Sequence, residues 1–145
     1  MIKSGYVETR FKYRGYPCVV ILQTQGHRCG YVGLTSTSSF YEREYIDIDV
    51  RCHGGLTYAR PYLYEQDDND MWWIGFDCAH YGDGEDYETL KEYAANDEET
   101  LLSVCQREAW HSSGVVRSQA YVEKECMEIV DQLIELEKLY DEVSK

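Results

Sequence analysis

The stretch Met71-Trp72-Trp73-Ile74-Gly75-Phe76-Asp77-Cys78-Ala79-His80-Tyr81-Gly82-Asp83-Gly84 separates two hydrophobic periods that cannot share one kind of element. Before it, apolar residues come in short aromatic and β-branched runs or alternate with polar ones, as strands require. After it they recur every three or four residues, as helices require. A chain that changes period once and does not change back is expected to be α+β: an N-terminal antiparallel β-sheet followed by C-terminal helices. The division falls at Gly84, giving a sheet unit over residues 1–84 and a helical region over 85–145, packed as one domain.

Within the first part, Cys18 to Thr24 (CVVILQT) reads as a buried strand. Ser4 to Tyr13 alternates weakly before it, and Cys29 to Leu34 follows it. The turns at Tyr13–Pro17 and Gly26 are tight, so the three strands form an antiparallel meander. Tyr45 to Val50 alternates strictly and predicts a strand burying Ile46, Ile48 and Val50. His53-Gly54-Gly55 reads as a sharp turn or a backbone cradle for an anion. Leu56 to Tyr64 continues as an irregular strand containing Pro61, and Glu65 to Asp70 is an exposed acidic turn. Met71 to Phe76 is a second buried strand, and its end carries Asp77, Cys78, His80 and Asp83 into a glycine-bearing loop.

In the second part, Tyr87, Leu90, Tyr93 and Ala94 predict a short helix. Asn96 with Glu99 opens another in a capping-box pattern, and Trp110 to Gly114 ends it. The longest helix is expected over Val115 to Val143. Its apolar positions Val122, Cys126, Ile129, Leu133, Leu136, Tyr140 and Val143 step alternately by four and three, a heptad seam. Such a helix is expected to face its own sheet on one side and a second subunit on the other. Val122, Ile129, Leu133, Leu136 and Tyr140 are the expected homodimer or higher homo-oligomer contacts.

Charge is divided along the same boundary. The chain carries −13 overall. Residues 1–80 hold eight basic against ten acidic side chains, and residues 81–145 hold six against seventeen. Six of the eight early basic residues are arginines, whose planar fork matches phosphate and carboxylate. The front of the molecule could therefore hold an anion, while the acidic back would repel nucleic acid. Six cysteines show no C-x-x-C spacing, the N-terminus lacks an apolar signal core, and no run reaches membrane-spanning length. The expectation is reduced thiols in the cytoplasm, with no membrane and no nucleic acid as partner.

Zinc would need Cys52, His53, Cys78 and His80 together, but neighbours on a strand point to opposite faces. No G-x-S-x-G, Walker A or G-x-G-x-x-G pattern occurs, and Cys78 with His80 lacks thiol–imidazole geometry. These features favour a binder over an enzyme, with neither metal nor cofactor. A ligand pocket could draw aromatic faces from Trp72, Trp73, Phe76 and Tyr81, and phosphate clamps from Arg28, Arg51, Arg60 and Arg117. Asp77, His80 and Asn96 could supply polar contacts to ribose or base edges.

The segments His53-Gly54-Gly55-Leu56-Thr57-Tyr58, Ile74-Gly75-Phe76-Asp77-Cys78-Ala79-His80 and Gly114-Val115-Val116-Arg117, the last leading into Tyr121-Val122-Glu123-Lys124-Glu125-Cys126, carry a resemblance. In layout the chain resembles the first Thoeris anti-defence family of phage proteins, sponges that sequester cyclic ADP-ribose signals without catalysis. The resemblance implies a homo-oligomer acting in the host cytoplasm, with a long dimerising last helix. It implies ligand contacts from an aromatic residue, an amide and arginines, by position Phe76, Asn96, Arg28 and Arg117, and further cyclic-oligonucleotide pockets. The alternative is an acidic, DNA-mimic-like inhibitor of a host defence protein.

Overall fold

The computed structural model describes residues 5–63, 70–111 and 113–143. Strands β1 (Gly5–Tyr13), β2 (Tyr16–Gln23), β3 (Arg28–Leu34), β4 (Tyr58–Arg60) and β5 (Trp72–Asp77) form one antiparallel sheet in the order β1-β2-β3-β5-β4. Arg14 and Gly15, between β1 and β2, both have positive φ, +51° and +88°. Two such residues are what a type I′ hairpin turn requires, and its twist matches the strands it joins. Helices α1 (Tyr87–Tyr93), α2 (Glu98–Ala109) and α3 (Gln119–Val143) follow, so the architecture is α+β.

Strand alternation gives the sheet two apolar faces. Cys18, Val20, Val32, Ile74 and Phe76 pack against Val122, Cys126, Ile129, Val130 and Leu133 of α3. Val19, Ile21, Tyr31 and Trp73 face the other way, under Tyr58, Leu63 and Met71. Leu22, Tyr87, Leu90 and Val104 make a smaller cluster that docks α1 and α2. Gly30 lets α3 come close: a Cβ there would stand 2.6 Å from the Phe76 ring and 2.8 Å from the Cys126 sulfur.

The heptad seam is an intramolecular one. Val122, Ile129 and Leu133, expected between subunits, are fully buried against this chain's own sheet. Leu136 is half-buried on the same core, and Tyr140 packs on Phe40 with ring centroids 5.0 Å apart. Steps of four and three mark a covered stripe without saying what covers it, and here a sheet face does so. Only the far end of the stripe reaches solvent, at Leu139, Tyr140 and Val143.

Tyr45 to Val50 is not a strand. It forms a 3₁₀ turn over Tyr45–Asp47, and Ile46 is 84% exposed, while Ile48 and Val50 are buried as expected. No strand among the described residues pairs with this segment. At its end, the Gln132 side chain from α3 exchanges two 2.7 Å hydrogen bonds with the Arg51 backbone, in place of a ladder neighbour.

The irregular strand shortens to β4 and stops before Pro61. Tyr64 and the acidic turn up to Asn69 lie outside the described residues. The Asn96–Glu99 capping box does not form: Asp97, one residue later, is the N-cap of α2 and accepts from the Thr100 backbone and hydroxyl. Val115–Val116 (β7) is not helical; it pairs in parallel with Asp83–Gly84 (β6), tying the segment before α3 to the loop after β5. No helix among the described residues is long and apolar enough to cross a membrane.

Candidate ligand-binding site

The polar groups that leave the end of β5 are gathered by Asp83. Its side chain is only 2% exposed and takes three hydrogen bonds from three parts of the chain. His53 Nε2 donates at 2.8 Å, the His80 backbone N–H at 3.0 Å and Arg117 Nε at 3.0 Å. Burial pushes the Asp83 carboxyl up, but donation from His53, His80 and Arg117 outweighs it and holds the group below its ordinary range. An ionised Asp83 fixes the direction of the next bond. His53 Nε2 must donate to it, so in the neutral tautomer Nδ1 accepts from the Tyr121 hydroxyl 2.8 Å away. Burial, aided by Glu125, raises the Tyr121 pKa, which keeps that hydroxyl a donor. A continuous chain therefore runs from Tyr121 through His53 to Asp83.

Arg117 forms the open side of this corner. Its guanidinium carbon lies 5.1 Å from the centre of the Tyr121 ring, and its Nε is tied to Asp83. Its terminal nitrogens make no hydrogen bond to a described residue, and the side chain is 28% exposed. The guanidinium is held in place on two sides and left with its terminal donors unused.

Asp77 makes the neighbouring wall. Its carboxylate accepts from Thr57 Oγ1 at 3.0 Å and from the Ala79 backbone at 3.1 Å. His80 Nε2 lies 3.2 Å from Asp77 Oδ1, yet at an angle that makes no hydrogen bond, so this buried nitrogen lacks a donor or acceptor among the described residues. The His53 and His80 rings are 6.0 Å apart. Gly54 explains how His80 fits: it has φ +69°, and a Cβ there would come within 2.1 Å of His80 Nε2.

The glycine pair is thus a seat for an imidazole. It is not an anion cradle, because the Gly55 N–H bonds to the Cys52 carbonyl and the His53 N–H to Glu125 Oε1. The thiols nearby are poor nucleophiles, since burial pushes Cys52 and Cys78 each up to about 12. Both ring nitrogens of His53 are already engaged, and no group of three or more metal-ligating side chains is assembled among the described residues.

Of the six residues the sequence nominates, Arg117, Asp77 and His80 meet here. Arg28 lies behind them. It is 4% exposed, paired with Glu8 at 2.5 Å and Asp86 at 2.9 Å, and it donates to the Arg117 carbonyl at 3.0 Å. It positions the backbone of Arg117 and has no free donor face for a phosphate. Phe76 is 1% exposed in the main core, where no ligand can stack on it. Asn96 is exposed in the turn between α1 and α2, and no hydrogen bond among the described residues joins it to the corner.

His53, Asp83 and Tyr121 are the residues that pattern reading underrates. The first two stand beside glycines in the sequence, which is a usable signal. Tyr121 is hidden inside a helical period. No protein-family profile, curated protein or solved structure matches this chain.

Proposed function

We propose that the chain binds a small phosphate-bearing ligand without transforming it, at the corner formed by Arg117, Tyr121, Asp77 and His80. The cyclic ADP-ribose class is the ligand class that the sequence resemblance implies, and sequestration of such a signal is the function this reading assigns. The observation that carries it is the state of Arg117: tied at Nε by a buried carboxylate, held over a ring, and open at both terminal nitrogens. An arginine fixed in this way loses little freedom on meeting a phosphate. The flat face assigned by sequence to Phe76 passes in this reading to Tyr81, which is fully exposed in the same loop.

One arginine fork is worth about 1.5–3 kcal/mol and one stacked base about 1–3 kcal/mol. Micromolar binding needs about 8 kcal/mol. An open corner on one chain therefore falls short by itself. Self-association, with a second copy closing over the ligand, supplies the remaining contacts in this reading.

A second reading has its own observation, the Tyr121–His53–Asp83 chain, which is a ready path for a proton between a surface phenol and a buried carboxylate. Incubating the protein with cyclic ADP-ribose isomers, then denaturing it and weighing the released small molecules, separates the two. Recovery of bound ligand with unchanged mass supports sequestration. A cleaved product that disappears in His53→Gln moves the protein into the hydrolases.

A further inference from the structure

A second cleft lies along α2, away from the Arg117 corner, and it brings an exposed tryptophan together with an arginine. Trp110, the C-terminal cap of α2, is 91% exposed, whereas Trp72 and Trp73 are buried. One helical turn before it, the Arg107 side chain makes no hydrogen bond and no ion pair with any described residue. That is unexpected in residues 85–109, where eight acidic side chains accompany two basic ones. Four of the nearby acids have other partners: Glu108 and Glu88 take Lys91, Glu85 takes His111, and Asp86 takes Arg28, while Glu99, on the wall of the adjoining cleft, lies two helical turns before Arg107. Both residues line a cleft of about 590 Å³ whose back wall is Tyr87, edge-on to His111 at 5.2 Å. Arg107 also lines the adjoining cleft, shared with Ser103 and Gln25.

Ser103, Arg107 and Trp110 are spaced four and three apart, so they lie along one face of α2. A large ring exposed on both faces and a guanidinium without a partner, side by side, are complementary to one kind of molecule. We propose that this cleft binds a flat aromatic ring bearing an acidic group, a phosphate or a carboxylate. The ring lies on Trp110, and the acid meets Arg107 with Ser103 and Gln25 beside it. The acid belongs on the Ser103 side because the carbonyls at the helix C-terminus repel an anion placed beyond Trp110. The surrounding negative charge makes the arginine indispensable, since nothing else in the cleft attracts an anion except His111, which is already turned to Glu85.

The site is independent of the Arg117 corner and is tested separately. Trp110 is the one solvent-exposed tryptophan, so its indole N–H resonance can be followed in ¹⁵N-labelled protein and assigned by its loss in Trp110→Phe. The probes are 1-naphthyl phosphate and 1-naphthoate, against 1-naphthol for the ring alone and inorganic phosphate for the acid alone. The expected result is a saturable shift of the Trp110 signal with one of the two acids, at least about tenfold tighter than with naphthol or phosphate. Which acid binds identifies the acidic group. Arg107→Gln should weaken it at least about tenfold, and Arg117→Lys should leave it unchanged, with the Trp72 and Trp73 signals unmoved in both. Equal affinity for naphthol, indifference to Arg107→Gln, loss of the shift in Arg117→Lys, or no shift with either acid would each overturn the proposal.

Discussion

Phe76 and Arg117 sit at opposite ends of one question, whether a side chain serves the fold or a ligand. Phe76 packs over Gly30 in the core that α3 covers, and its ring is sealed from solvent. Phe76→Ala should lower stability by about 3–5 kcal/mol, the cost of emptying a buried aromatic site. Chemical denaturation reads this directly as an earlier midpoint at unchanged slope. A stability indistinguishable from the parent would mean that α3 does not rest on this ring. Residue types were legible in the sequence, but their exposure was not. The run Ile74-Gly75-Phe76-Asp77 reads as the end of a buried strand, yet nothing in it says that α3 covers Phe76 while the next side chain, Asp77, points to Thr57 and His80. The pairing of Arg28 was hidden for a related reason. Its partners Glu8 and Asp86 are 20 and 58 positions away, so only the folded chain shows that its charge is already matched.

At the scale of elements, hydrophobic period identified the meander and the long helix, because period depends on local geometry alone. It could not say which surface covers a stripe, and that is a tertiary fact. The same limit applies to Tyr45–Val50, where alternation was real for Ile48 and Val50 but the ladder was replaced by one glutamine of α3. The corner was half legible: the loop after β5 was visible as polar groups leaving a strand, whereas Tyr121 came from a helix chosen for its apolar positions. The packing of α3 separates two substitutions that the heptad pattern would treat alike. Leu133→Glu places a carboxylate in the sealed core and should unfold the chain or cost about 4–5 kcal/mol or more. Leu139→Glu, at a 56% exposed position, should leave the melting temperature nearly unchanged and alter only any self-association. Equal effects on stability would contradict the docking of α3.

For the whole molecule, acidity and stability are linked through a few groups. His27 is pushed below the ordinary 6.5 by burial, although Asp77, Glu85 and Asp83 pull the other way. The unfolded chain therefore takes up a proton near 6.5 that the folded chain resists, so stability should fall as pH drops below that value. Asp83, Asp86, Asp97 and Asp131 are all held below the ordinary 3.8. Their contribution is present above that value and is lost as pH falls through their lowered values in the folded state. Denaturation followed between about pH 7 and pH 3 should show two successive losses, the first removed by His27→Gln.

Whether Arg117 holds a phosphate is decided by calorimetry of the parent and Arg117→Lys against cyclic ADP-ribose isomers. Lysine keeps the charge beside Asp83 but lacks the fork, so the expected result is binding of at least one isomer, weakened at least about tenfold in the variant, with melting temperatures within a few degrees. Heat-free titrations with every isomer, or equal affinity in the two proteins, would contradict it.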